Sequence, residues 1–153
     1  MLRSATIDAA PLAAVTFTTG AFAQPAQLGT AAEAAAMLDR AVAAVKADRA
    51  KALASFNAGT DGFKDRDLQP FCFSRSDGKL AASTVPKLVG TDIRALKDKS
   101  GEPFGEKIFE AAIEGQRTEV RYMFPRPGET VPVQKVSFVT GVGDLGCGVG
   151  YHP

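Results

Sequence analysis

The chain contains 153 residues, of which 45% are hydrophobic and 23% charged, and its formal net charge is +1. The length favours one domain, and the composition is that of a globular protein rather than a disordered one. Lys and Arg are scattered without a basic block, so the sequence lacks the electrostatic footprint of a nucleic-acid-binding protein.

Residues 1–23 have the features of a signal peptide. They begin with a weakly positive segment, continue with a mostly small and apolar run at residues 9–23, and end in the small-x-small pattern Ala21, Phe22, Ala23. The apolar run is too short and too polar to span a bilayer, which needs about 20 apolar residues. We therefore predict cleavage near Ala23 and a periplasmic or secreted domain of residues 24–153 without a membrane span. A disordered cytoplasmic N-terminus is the alternative.

The first element is a predicted helix at residues 30–56. Thr30 is placed to cap it, and Glu33 completes a capping box. A predicted β-hairpin follows, with strands at residues 68–74 and 80–84 joined by an Asp-Gly turn. Pro70 in the first strand indicates a bulge or a later strand start.

Short helices and three more strands complete the predicted order. A helical turn is expected at residues 92–96, and a longer helix from Pro103 to Gly115. Strands are predicted at residues 118–124, 133–140 and 145–151. This order predicts an α+β domain with one antiparallel sheet and the helices gathered on one side.

Two of these strands carry the candidate binding residues. Because a strand alternates its faces, Tyr122 and Phe124 point the same way and Arg121 points the other way. Lys135 lies on the next strand among apolar neighbours. An aromatic floor beside one ammonium suits a small carboxylate ligand. It suits a catalytic centre less well, because the sequence offers no nucleophile–base pair.

Two other patterns do not predict a cofactor or a metal. Residues 141–146 spell G-x-G-x-x-G but lack the following helix and acidic residue of a dinucleotide site. Their glycines are expected to allow a tight turn and close strand packing. Asp92, Asp98 and Glu102 do not have the spacing of an EF-hand loop.

Several segments, in order, carry a family resemblance. They are residues 56–57, 62–68, 76–80, 88–93, 98–104 and 122–128, then Lys135, and residues 142–151. Together they cover nearly all of the chain after the signal peptide, and they resemble the single Cache domain family. The resemblance implies a long N-terminal helix, a PAS-like five-stranded antiparallel sheet and short helices.

The resemblance also implies a function. Such domains are extracytoplasmic sensors, not enzymes, and bind small organic acids such as acetate, propionate or pyruvate. Most lie between membrane helices of chemoreceptors or kinases. This sequence shows neither a second membrane segment nor a signalling domain, so the expected form is a standalone binding protein whose partner is a membrane receptor or kinase.

The resemblance makes Lys135 the leading ligand anchor. Tyr122 would add a hydroxyl, while Phe124 and Phe73 would form walls. The family usually has Trp where this chain has Phe124, so an indole N–H donor is missing here. The alternative is that Lys135 lies on a solvated strand face and that the three aromatics belong to the core.

Cys72 and Cys147 are the only cysteines, and they are not spaced as a metal site. In PAS-like sheets the first and last strands are neighbours, so the resemblance allows a disulfide in an exported protein. The interpretation preferred from the sequence is two buried thiols. His152 at the C-terminus is not expected to form a catalytic pair with either cysteine.

Two functions remain open at this point. The first is a sensing domain for a small organic acid. The second is a structural or protein-interaction module that keeps the fold but fills its pocket with side chains. A cavity beside Lys135 would favour the first function, and a packed sheet face would favour the second.

Overall fold

The computed structural model describes residues 27–153, so the predicted signal peptide and its cleavage near Ala23 lie outside the described residues. The helices are α1 (Ala31–Ala47), α2 (Arg49–Ala58) and α3 (Phe104–Glu110), with 3₁₀ turns at Pro86–Leu88 and Ile93–Ala95. The strands are β1 (Pro70–Ser74), β2 (Leu80–Ala82), β3 (Thr118–Pro125), β4 (Pro132–Val142) and β5 (Leu145–Tyr151).

The N-terminal helix begins as predicted but is interrupted. Thr30 and Glu33 form the capping box. The prediction of one helix through Phe56 is wrong, because Asp48 has φ −155° and ψ 96° and its side chain accepts a hydrogen bond from the Lys51 N–H. Aspartate side chains compete in this way with helical backbone hydrogen bonds. Asp48 therefore ends α1 and caps α2.

The five strands form one antiparallel sheet in the order β2-β1-β5-β4-β3. The strand that is last in the sequence is therefore central, with β1 and β4 as neighbours. This arrangement confirms the predicted α+β, PAS-like fold. β1 begins at Pro70, the later of its two expected starts, and its pairing with β2 shifts between Cys72 and Phe73.

Helices cover both faces of the sheet, and the prediction that they gather on one side is wrong. On the first face, α1 and α2 pack against Cys147 and Val149 of β5. On the second face, α3 and the 3₁₀ turns pack against residues such as Phe73 and Val139. Because strand residues alternate between faces, one sheet separates two distinct cores.

Cys72 and Cys147 form a disulfide on the first face, so the preferred interpretation of two buried thiols is wrong. The two residues are direct partners in the β1–β5 register, and their Cα atoms are 4.1 Å apart. They are separated by 75 residues in the chain. Only the placement of β5 beside β1 brings them together.

The third helix is shorter than predicted, ending at Glu110 rather than at Gly115. Beyond it the chain turns onto β4, where the Gly141 N–H donates to the Ile113 carbonyl over 3.1 Å. A Cβ atom on Gly141 would lie 2.7 Å from the Glu114 nitrogen. Close contact with the sheet therefore replaces the last helical turn, and glycine is required for that approach.

Candidate functional site

A small cavity lies between the second face of the sheet and the segments that cover it. Its volume is about 50 Å³. Its polar lining comes from Lys135, Tyr122, Ser83 and Thr84. Most of the remaining wall is apolar and includes Leu80, Ile93, Leu96, Phe104 and Ile108. The cavity is thus an apolar space with a single charged group at its edge.

Three of the four residues predicted from the sequence meet at this cavity. Tyr122 of β3 and Lys135 of β4 are direct partners in the antiparallel register, so their side chains share one face. The Lys135 ammonium lies 5.1 Å from the centroid of the Phe124 ring. This contact has the geometry of a cation–π interaction.

Lys135 is a buried residue whose ammonium has no counterion in the described part of the chain. The residue is only 7% exposed. No carboxylate among residues 27–153 lies within 4.0 Å of its Nζ atom. Burial lowers the pKa of Lys135 from 10.5 to about 8, and the more distant charge of Asp67 opposes this decrease only in part. The group is therefore charged at neutral pH but poorly compensated.

Tyr122 is held in place by two neighbours. Its ring stacks on Phe104 with centroids 4.6 Å apart and planes 7° from parallel. Its hydroxyl shares a hydrogen bond of 2.8 Å with Ser137, which is fully buried. Burial raises the pKa of Tyr122 to about 12. The hydroxyl therefore stays protonated and keeps a hydrogen available for donation.

Phe73, the fourth predicted residue, does not line the cavity. It is fully buried in the second core, with its ring 5.7 Å from that of Phe109. Phe71, two residues earlier on the same strand face, lines the cavity instead. Residues two apart on a strand share a face but lie about 6.6 Å apart along it. The sequence identified the correct face of β1 but not the position along it.

A row of glycines in β5 makes room for these side chains. A Cβ atom on Gly150 would lie 2.5 Å from the Lys135 Cε atom, and one on Gly148 would lie 2.5 Å from the Phe71 ring. A Cβ atom on Gly146 would likewise lie 2.4 Å from the Phe73 ring. This row was not predicted from the sequence to be part of the site. Alternate glycines in a strand would have been the signal, since they mark close approach of other groups.

A larger outer chamber of about 550 Å³ adjoins the cavity. Thr84, Val85, Leu88, Phe124 and Lys135 line both spaces, so Lys135 lies at the boundary between them. The loop before β1, the segment at residues 84–88 and the β3–β4 loop form the rest of this chamber. Lys135 is therefore accessible from the outer chamber as well as from the small cavity.

Asp67 and His152 form a buried pair that was not predicted from the sequence. Asp67 accepts hydrogen bonds from the Gly29 N–H at 2.6 Å, the His152 N–H at 3.0 Å and the His152 ring at 2.9 Å. Burial alone would raise the pKa of Asp67, but these hydrogen bonds outweigh it and leave the pKa below its usual value. Asp67 thereby ties the segment before α1 to the residue that follows β5.

Within residues 27–153, no helix has the length and apolar character needed to cross a membrane.

Comparison with solved structures supports the fold. A methyl-accepting chemotaxis protein from Vibrio parahaemolyticus is 19% identical to this chain, with a TM-score of 0.64. The alignment covers 79% of this chain and 86% of the chemotaxis protein's chain. A periplasmic sensor domain of a chemotaxis protein is 24% identical, with coverages of 77% and 86% and a TM-score of 0.58. A Cache chemosensory domain described for carboxylic acid recognition is 20% identical, with coverages of 77% and 84% and a TM-score of 0.57.

Comparison of sequences identifies the family. No curated protein matches the chain. The family model of the Cache domain matches residues 34–152, which include α1 from Ala34 onward, the whole sheet and every residue that lines the small cavity. The chain therefore belongs to the Cache domain family, whose members are small-molecule sensor domains.

Proposed function

We propose that this Cache domain binds a small organic acid of the acetate, propionate or pyruvate type. The observation that carries the proposal is the buried ammonium of Lys135, which has no counterion within 4.0 Å among residues 27–153. An uncompensated buried charge costs free energy. A ligand carboxylate would supply the missing charge through a short, charge-assisted hydrogen bond.

The size of the cavity supports a ligand of two or three carbons. A water-sized group needs roughly 10–15 Å³ of such a cavity, so a cavity of 50 Å³ holds about three to five of them. The apolar wall would receive the carbon chain, and the carboxylate would remain at Lys135 on the side of the outer chamber.

Tyr122 and Phe124 would complete the contacts. The Tyr122 hydroxyl is bonded to Ser137 and could donate to a ligand oxygen when Ser137 donates to it. Phe124 offers an apolar wall and no hydrogen-bond donor, so the carboxylate would depend on Lys135, Tyr122 and the other polar lining residues, Ser83 and Thr84. Phe71 takes the wall position that the sequence had assigned to Phe73.

The proposal places the domain outside the cytoplasm, as residues 24–153 after cleavage near Ala23. The disulfide between Cys72 and Cys147 supports an oxidising compartment. The bound state would then be presented to a membrane receptor or kinase. N-terminal sequencing of exported protein should begin at Gln24, and a product that begins at Met1 would refute cleavage.

Titration calorimetry tests the binding proposal. The protein is titrated with acetate, propionate and pyruvate, and the same titrations are repeated with Lys135→Met. A matched control is Lys97→Met, which removes an exposed lysine outside the cavity lining. Binding that is lost only in Lys135→Met supports the proposal. No heat with any of the three acids would favour the alternative, a structural or protein-interaction module that keeps the fold and binds no ligand.

A further inference from the structure

The outer chamber has an excess of positive charge. Its charged lining residues are Lys64, Arg66, Lys87, Arg126 and Lys135 on the positive side and Asp67 and Glu129 on the negative side. The count gives 5 − 2 = +3 for the chamber, whereas the whole chain carries a formal charge of only +1. Positive charge is therefore concentrated where a ligand would enter.

The two carboxylates of the chamber are already engaged. Asp67 accepts hydrogen bonds from Gly29 and, twice, from His152. Glu129 pairs with Arg126 at 3.7 Å. Neither carboxylate is available to receive a positively charged group of a ligand without giving up a partner.

Two exposed lysines of the chamber have no carboxylate partner in the described part of the chain. Lys64 and Lys87 are exposed, and no carboxylate of residues 27–153 lies within 4.0 Å of either ammonium. Arg66 differs from them, since it pairs with Glu33 at 2.7 Å and Asp65 at 2.8 Å, neither of which lines the chamber. The uncompensated charge thus comes from Lys64 and Lys87 in the opening and from Lys135 at its inner end.

A cleft lined by charge of one sign attracts ions of the other sign and raises their association rate. Salt screens exposed charges strongly and buried ones much less. Attraction by Lys64 and Lys87 should therefore depend on salt, whereas the contact at Lys135 should not. A zwitterion gains little from this field, because its ammonium would enter a positive chamber without a free carboxylate.

We infer that the outer chamber selects net-anionic acids, which Lys64 and Lys87 recruit to Lys135, and that it rejects amino acids. The inference rests on the proposed binding of a small carboxylate at Lys135. Beyond that proposal, net-anionic acids are accepted, amino acids are rejected, and Lys64 and Lys87 distinguish the two classes.

The experiment compares propionate with L-alanine, which differs from it by one ammonium group. Calorimetry measures Kd at low and high salt for the unmodified protein and for Lys64→Gln/Lys87→Gln. The matched control is Lys46→Gln/Lys51→Gln, which makes the same change in net charge on α1 and α2, on the first face of the sheet.

For the unmodified protein and the control, Kd of propionate should rise about tenfold from low to high salt, and L-alanine should bind at least about tenfold more weakly than propionate. In Lys64→Gln/Lys87→Gln, Kd at low salt should already approach the high-salt value. The inference is overturned if the chamber variant keeps the full salt dependence or if L-alanine binds as tightly as propionate. If no small acid binds at any salt concentration, the proposed function fails as well.

Discussion

Replacing Lys135 with methionine should abolish ligand binding and at the same time stabilise the ligand-free protein. Burial lowers the pKa of Lys135 from 10.5 to about 8. Each tenfold change in proton affinity corresponds to 1.36 kcal/mol, so the fold disfavours the charged ammonium by about 3 kcal/mol at neutral pH. Methionine fills a similar volume without the charge. We therefore expect a gain of up to about 3 kcal/mol, or roughly 10 °C in Tm for a domain of this size.

The pH dependence of stability distinguishes this cause from better packing. Between pH 8 and 10 the unfolded protein binds a proton at Lys135 that the folded protein has released. The free energy of unfolding of the unmodified protein should therefore rise through this window. Tyr122 has the opposite effect on the free energy of unfolding, because folding raises its pKa to about 12. Its contribution to stability is present at lower pH and is lost only above the unfolded pKa of about 10. Measurements up to pH 9.5 leave Tyr122 mostly protonated in both states.

The assay is chemical denaturation of the oxidised protein at pH 7 and pH 9.5. Lys135→Met should be the more stable protein at pH 7, and the difference should shrink by pH 9.5. Lys97→Met should lie within about 0.5 kcal/mol of the unmodified protein at both values. Lower stability of Lys135→Met at pH 7 would show that the ammonium has a stabilising partner, and Lys135 would then not be an uncompensated ligand anchor.

Three further predictions concern the site and the sheet that holds it. Binding of propionate should weaken about tenfold per pH unit above pH 8, because its carboxylate pairs with the charged form of Lys135. Calorimetry at pH 8.5 in buffers of different ionisation enthalpy should show proton uptake on binding. An affinity that stays level to pH 10 would contradict this prediction. Gly150→Ala should displace the Lys135 side chain and weaken propionate binding at least about tenfold. Gly143→Ala, in the turn between β4 and β5 and outside the linings of the small cavity and the outer chamber, should leave binding intact. Equal binding by both variants would remove the glycine row from the site. Reducing the Cys72–Cys147 disulfide should cost about 4 kcal/mol for a closed loop of 75 residues; a urea midpoint that does not move on reduction would show that the bridge does not form in solution.

The sequence predicted every strand of the sheet, because each is a short apolar run bounded by turn residues. It also predicted the capping box of Thr30 and Glu33, which depends on residues three apart. It did not predict the break at Asp48, because a cap inside an alanine-rich segment competes with a strong helical pattern. It also missed the early end of α3, where the contact between Gly141 and Glu114 overrides the apolar periodicity.

The residues of the candidate site likewise include some that were predicted from the sequence and others that only the folded structure brings together. Tyr122 and Phe124 share a strand face by alternation alone, and Lys135 was notable as a lysine among apolar residues. Phe71 and Phe73 share a strand face, so only the position of the cavity along β1 shows that Phe71 lines it. Asp67 and His152 are 85 residues apart, and no local pattern relates them. The charge of the outer chamber likewise depends on loops that meet only in the folded protein.

The sequence by itself determined the elements, the faces of the strands and the residue types that suit a carboxylate, because these follow from interactions between residues close in the chain. The tertiary structure decided the rest by placing β5 between β1 and β4. That placement joins Cys72 to Cys147, sets the glycine row beneath Phe71 and Lys135, and brings His152 to Asp67. Burial then leaves Lys135 charged, with no carboxylate of residues 27–153 within 4.0 Å of its ammonium. Both the register of distant strands and the burial of a charge are properties of the packed sheet.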